Sequence, residues 1–329
     1  MRRRRLLAGL AGAAPAALAR AQGDGGFPQR PVTLVVAFSA GSTNDILGRM
    51  LAAEVGPRLG QPMPVDNRPG AGGTLAVASV ARGRADGHTV VLVSTSTIPI
   101  NRALYRNLSY DPHRDLAPVS VAASTPNALI VPGGSPHRTL AELLARGRDA
   151  ARPPLRHFSP GNGTSQHLSC VQVLRAAGGG VRSEHVPYRG PSEGITGMVA
   201  GETDWGFSAV PSILGLARDG QVRVLGVTGT ASPPTLPGAP TFAAQGLAGF
   251  EETDVWYGIA APRDTPAGAL AALRRAFAEA LAQPALRERL SAAGFYPVPP
   301  MDGPAMEAFV ARQVAFWEEL VRASGATVD

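Results

Sequence analysis

A two-lobed α/β protein with a cleft between its lobes is the architecture this sequence predicts, and three observations predict it. At 329 residues the chain exceeds what a single hydrophobic core usually organises. Short apolar runs alternate with helical patterns, as in βαβ units and mainly parallel sheets. Twice, a strand runs into a Gly/Ser/Thr loop that opens a helix, which is where open α/β sheets bind small molecules. Hydrophobic content of 44% with 39 glycines and 30 prolines describes a turn-rich globular chain, not a disordered or fibrous one.

The chain starts MRRRRLLAGLAGAAPAALARAQG, with four arginines, an apolar stretch over 6–18 and small residues ending Ala19-Arg20-Ala21. This pattern predicts a secretory signal peptide over 1–21, cleaved near Ala21, and so a periplasmic product. The apolar stretch is too short and too rich in Ala and Gly to span a membrane. Arg3-Arg4 before Leu6-Leu7 leaves the twin-arginine route open beside the general one. Cleavage would remove five arginines and no acid, leaving 26 basic against 25 acidic residues and a net charge of +1. A nucleic-acid partner needs a concentrated basic surface, so that class is set aside. The single Cys170 cannot close an internal disulfide and reads as a small core residue.

Residues 32–38 form a near-continuous apolar run, as a strand covered on both faces should. Helical spacing follows over 45–59 (Ile46, Leu47, Met50, Leu51, Val55), closed by Gly60. Strands are expected at 62–65 and 90–93, with an Ala-rich helix over 74–81 between them. Near Ser124 the pattern restarts. Strands are expected at 128–131, 155–158, 185–188, 205–207 and 222–227, and helices at 140–150, 165–176 and 193–200. A Pro-rich stretch over 232–240 interrupts this second lobe, and 255–260 reads as one more strand. Three helical patterns over 266–281, 284–292 and 304–324 finish the chain, each with proline at or near its first turn. The last carries a single stripe of Met306, Phe309, Val310, Val314, Trp317 and Val321, expected to pack back on the first lobe. The division expected is 22–123 with 232–329 for a discontinuous first lobe and 124–231 for the second, joined by two crossings that form a hinge.

The loop over 39–45 (Ser39-Ala40-Gly41-Ser42-Thr43-Asn44-Asp45) and the loop over 158–165 both place small polar residues at a helix start. There, backbone N–H groups and the positive end of the helix dipole suit an anion, although the same residues also serve as caps. Arg68-Pro69-Gly70-Ala71-Gly72-Gly73-Thr74 is glycine-rich but lacks the lysine of a P-loop, and Leu75 stands where a dinucleotide fingerprint wants glycine. Gly190-Pro191-Ser192-Glu193-Gly194 matches the hydrolase nucleophile motif, yet all six histidines precede Ser192, against the chain order of that fold. Ser192 therefore reads as a helix N-cap. A secreted serine hydrolase using Ser192 and an orphan exported interaction domain remain the alternatives. The histidines show neither metal-ligand spacing nor a cysteine cluster, so no metal is expected, and His167 and His185 read as polar partners near strand ends.

With these residues in view, the chain resembles the substrate-binding receptors of tripartite tricarboxylate transporters, the Bug-type receptors. The segments that carry the resemblance, in order, are FPQRPVTLVVAF, GQPMPVDNRPGAGGT, ADGHTVVLVSTST, LYRNLSYDPHRDLAPVS, GNGTSQHL, HVPYRG and WYGIAAPRDTP. The resemblance implies a type II periplasmic-binding-protein fold with no catalytic residues and no cofactor. It also implies a monomer that presents a small carboxylate to membrane permease subunits or a sensor kinase. It further implies ligand contacts from Ser39, Gly41, Ser42, Thr43 and Asp45, from Thr95 and Ser96, from Ser159, Gly161 and Thr164, and from Tyr188 and Ser208. Asp45 would orient its loop. Ser39-Ala40 stand where the family commonly has two prolines, Arg189 where it often has Lys, and Ser208 where it often has Asp. The last departure implies weaker recognition of amine- or amide-bearing ligands.

Overall fold

The computed structural model describes residues 26–251 and 253–324, so the expected signal peptide lies outside the described residues. The elements, in chain order, begin with β1 (Thr33–Val36), α1 (Thr43–Leu59), β2 (Val65–Asn67), α2 (Thr74–Ala81), β3 (Thr89–Ser94), α3 (Asn101–Leu104) and β4 (Leu116–Thr125). Next come β5 (Asn127–Pro132), α4 (Leu140–Arg148), β6 (Leu155–Ser159), α5 (Ser165–Ala176), β7 (Ser183–Pro187), α6 (Pro191–Val199), β8 (Trp205–Ala209), α7 (Leu214–Arg218) and β9 (Val222–Val227). β10 (Val255–Pro262), α8 (Ala267–Leu281), α9 (Pro284–Ala292), β11 (Tyr296–Pro297) and α10 (Gly303–Ser324) complete the described chain. They build two sheets, one of order β11-β4-β10-β3-β1-β2 and one of order β7-β6-β8-β5-β9.

Both sheets are mixed, which corrects the expectation of mainly parallel ones. β1 lies parallel between β2 and β3, but β10 runs antiparallel to β3 and β4. β5 likewise runs antiparallel to β8 and β9. The physical reason is connectivity, since the strand that enters or leaves each lobe is not bound by the βαβ crossover that keeps the others parallel.

Burial explains the continuous apolar strands. Along β1, Leu34 and Val36 point into a cluster with Leu47, Leu51 and Val55 of α1 and Leu273 and Phe277 of α8. The alternate residue Val35 joins Val91, Val93 and Trp256 under α2 and α10. The predicted stripe of the last helix is real: Met306, Val314, Trp317 and Val321 are buried, and the ring of Phe309 stands edge-on to Trp256. It reaches further than expected, because Trp317 and Val321 also share a cluster with Leu168 of the second lobe.

After β9, Phe242 and Phe250 meet at a tilt with ring centroids 4.4 Å apart and pack against Phe207 and Leu129 of the second sheet. The crossings fall at Pro126, between β4 and β5, and just before β10.

Candidate ligand cleft

Where the lobes face one another, a small space is walled by Phe38, Ser42, Thr43, Asn44, Ser94, Ser96, Pro160, Gln166, Pro191, Ala209, Val255 and Tyr257, none of them charged. Its volume is about 20 Å³, room for roughly one water, so the lobes stand nearly closed. Both expected strand-to-helix loops contribute to these walls.

In the first loop, Gly41 takes a φ of 77°, a left-handed turn that aims its N–H at Asp45 Oδ2, 2.9 Å away. Asp45 also accepts from Arg49 Nε at 3.1 Å and pairs with its guanidinium at 2.9 Å. Burial disfavours the charge on Asp45, but the Arg49 and Gly41 hydrogen bonds outweigh it and hold the carboxyl below its ordinary pKa. Asp45 thus laces the loop from behind. Ser42 caps α1 by accepting from the Asp45 N–H at 3.3 Å. Thr43 and Asn44 then present the first-turn backbone of α1 to the cleft, where a helix has N–H groups without intrahelical partners.

In the second loop, Ser159 Oγ holds Gly161 from both sides, donating to its carbonyl at 3.1 Å and accepting from its N–H at 3.2 Å. It also pairs with His185 Nε2 at 2.7 Å. Thr164 caps α5 through the His167 N–H at 3.2 Å. Ser159, Gly161 and Thr164 therefore shape the loop, while Pro160 and Gln166 reach the cleft wall. Beneath them His157, His167 and His185 stack, with ring centroids 5.2 Å apart for His157 and His185 and 4.2 Å for His167 and His185. His167 Nδ1 accepts from the Gly163 N–H at 3.1 Å, so two of the three rings hold the loop directly.

The remaining expected residues divide the same way. Ser96 lines the cleft, and its hydroxyl accepts from the Ser165 N–H of the other lobe at 3.0 Å. Thr95 is fully buried behind it and pins β10 by accepting from the Trp256 N–H at 2.9 Å. Ser39 abuts Gly190, where a Cβ would come within 2.6 Å of Ser39 Oγ, so glycine permits the close approach of the two loops. Tyr188 is outside the walls, and its hydroxyl donates to Glu202 at 2.7 Å. Ser208 is fully buried on β8, and its neighbour Ala209 lines the cleft instead. Ser192 is not the cap of α6, which is Gly190 with Pro191 as the first helical residue, the position proline favours. Its hydroxyl faces the Ala40 carbonyl of the other lobe at 3.5 Å.

Several residues of the wall and of the layer behind it were not among the expected ligand contacts. Asn44 is 7% exposed, and its Oδ1 has no partner. Gln166 donates to Asn127 Oδ1 at 2.9 Å, and Asn127 N–H donates to Thr228 Oγ1 at 2.9 Å. Thr228 in turn donates to Asp254 at 2.8 Å, so a buried polar chain links the cleft wall to both crossings. Val255 and Tyr257, two apart on a strand and hence on one face, were findable by that spacing. Across the cleft, Thr43 Oγ1 and Ser212 Oγ lie 2.7 Å apart. In a double-mutant cycle, Thr43→Val and Ser212→Ala are expected to show a coupling of about 1 kcal/mol in ligand affinity, and zero coupling would mean this bridge does not help hold the lobes together.

Two α/β lobes with opposed strand-to-helix loops around an uncharged cleft are the arrangement of periplasmic solute-binding proteins. Three solved structures are similar to the chain. The periplasmic binding protein BugD is 29% identical, covers 92% of this chain and 99% of its own, and superposes with a TM-score of 0.86. MatC from Rhodopseudomonas palustris, solved with bound malate, is 31% identical over 90% of this chain and 100% of its own, with a TM-score of 0.83. A further R. palustris protein, solved with adipate, is 32% identical over 92% and 99%, with a TM-score of 0.85. The family model described as the tripartite tricarboxylate transporter family receptor matches residues 47–326, and the chain belongs to that family. It is a solute-binding receptor and not an enzyme, which removes the hydrolase alternative.

Proposed function

We propose that the cleft traps a small carboxylate-bearing molecule and that the closed shape is what a tripartite membrane transporter reads. The observation that carries this reading is the opposition of two helix starts, α1 and α5, across walls that contain no charged side chain. An acid there would be held by backbone N–H groups and hydroxyls, as helix N-termini hold anions. The unpartnered Asn44 Oδ1 adds an acceptor for a ligand hydroxyl. Malate and adipate in the two structural relatives support the class of ligand.

The proposed lobes are 26–125 with 255–324, and 126–254, hinged at the two crossings, and the proposed site comprises the two loops with Ser96. Ligand that touches both lobes binds the closed form better and so populates it. The exported mature chain would act as a monomer, with permease subunits of a tripartite transporter as its partner and a sensor kinase as the other reader of the same shape. A thermal-shift series with malate, adipate and their homologues tests the reading. Ligand at a hundred times Kd adds about 2.7 kcal/mol of stability, visible as a rise of several degrees. No shift with any carboxylate, in protein stripped of bound solute, would mean that the cleft takes a solute of another class.

A further inference from the structure

A second cavity, of about 290 Å³, lies inside the first lobe between the sheet and α10. Val93, Ile98, Leu116, Trp256, Ile259 and Val310 give it apolar walls. Arg263 and Glu307 stand at its mouth, 39% and 60% exposed, with their charged groups 3.7 Å apart, at the outer edge of an ion pair. The Arg263 guanidinium is oriented by the His113 carbonyl, to which it donates, and its backbone N–H is fixed by the Asp115 carbonyl at 3.0 Å. An apolar chamber with one oriented guanidinium at its rim complements a molecule with an apolar body and a single anionic end.

We propose that this cavity is a second small-molecule site, taking an apolar monocarboxylate whose body lies between α10 and the sheet and whose carboxylate meets Arg263. The cavity is built from the reverse side of the cleft walls. Val93 and Ile98 line it, while Ser94 and Ser96 of the same segment line the cleft. On β10, Trp256 faces the cavity, and Val255 and Tyr257 on either side face the cleft. Thr95 ties the two segments together through the Trp256 N–H and carbonyl. An occupant of the cavity therefore presses on the segments that hold the cleft's ligand, and linkage makes any such effect reciprocal.

Sodium octanoate titrated into the mature full-length chain tests the proposal, with octanol as the uncharged control. Saturable octanoate binding is expected both without adipate or malate and in protein saturated with either. Arg263→Gln is expected to weaken octanoate about tenfold while leaving octanol unchanged. Val310→Trp, which fills the cavity from α10, and Ala260→Leu, which fills it from β10, are each expected to abolish binding of both probes. Two filling variants on different elements guard against one failing to fold, and far-ultraviolet circular dichroism identifies which variants are folded. Octanoate that fails to saturate, that no longer binds once adipate or malate saturates the cleft, or that binds folded filling variants as well as the parent overturns the proposal.

Discussion

Replacing Asp45 with alanine is expected to lower affinity for the cleft's ligand at least tenfold and to destabilise the fold by about 2 kcal/mol. The carboxylate is 4% exposed and accepts from the Gly41 N–H and from Arg49. Charge-assisted hydrogen bonds of this kind contribute more than neutral ones, and removing the acceptor leaves the Gly41 turn without its anchor. The Arg49 pair itself adds little, since Arg49 is 56% exposed and its charge is screened. Affinity should suffer as well as stability, because the 39–45 loop places Thr43 and Asn44 against the cleft. Asp45→Asn, which keeps an acceptor for the Gly41 N–H, should recover part of the loss. Calorimetric titration of both variants alongside urea unfolding separates the two effects. Unchanged affinity in Asp45→Ala would show that the loop keeps its shape without the carboxylate. The sign with pH follows from the lowered pKa: the contribution is present above the ordinary carboxylate pKa of about 4 and is lost only as pH falls through the lower folded value.

The residues that were legible in the sequence are those whose local pattern and final environment agree. β9, α2, α5 and α9 fall where their patterns predict, because apolar periodicity and burial coincide there. β4 was invisible, although it is a long strand paired with both β10 and β11. Its sequence LAPVSVAAST is weak in strand-forming residues and carries Pro118, so the strand owes its existence to the partners beside it. The segment after β9 is hard to read for the opposite reason. Its prolines signal an interruption, but Phe242 and Phe250 bind it to the second lobe, and no local pattern states which core an aromatic will join. At the cleft, the two loops stood out because the same strand-to-helix arrangement of Gly, Ser and Thr occurs twice, although each loop alone reads equally well as a cap. The division between groups that face the cleft and groups that brace it was not legible. Ser159 and Thr164 are of the same residue types as Thr43 and Ser96, and only the backbone path separates bracing from facing.

The histidine stack should make acid the condition that unfolds this protein. Burial lowers the pKa of His157 to about 3, helped by the nearby His185 and His167. Burial likewise lowers His167 to about 4, with His185 contributing, and His185 to about 4. Among the described residues the stack's polar partners are Ser183, Ser159 and the Gly163 N–H, none of them a carboxylate. In the unfolded chain these imidazoles titrate near pH 6.5. Their stabilisation is therefore complete above about pH 6.5 and is lost as pH falls towards the folded values, since only the unfolded chain takes up the protons in between. Up to three protons give a slope approaching 4 kcal/mol per pH unit, discounted somewhat because His185 is partly open to solvent. Over little more than one pH unit that rivals the whole stability of an ordinary domain. Unfolding by urea at pH 7.5, 6 and 5 measures the slope directly. His185→Gln, which keeps a hydrogen-bonding group for Ser159, should reduce it by about one proton, and a slope that the variant leaves unchanged would remove His185 from the account. Because His167 and His185 hold Gly163 and Ser159, the ligand affinity of the folded protein should fall only as pH nears their folded values of about 4, and in His185→Gln it should fall less steeply than in the parent.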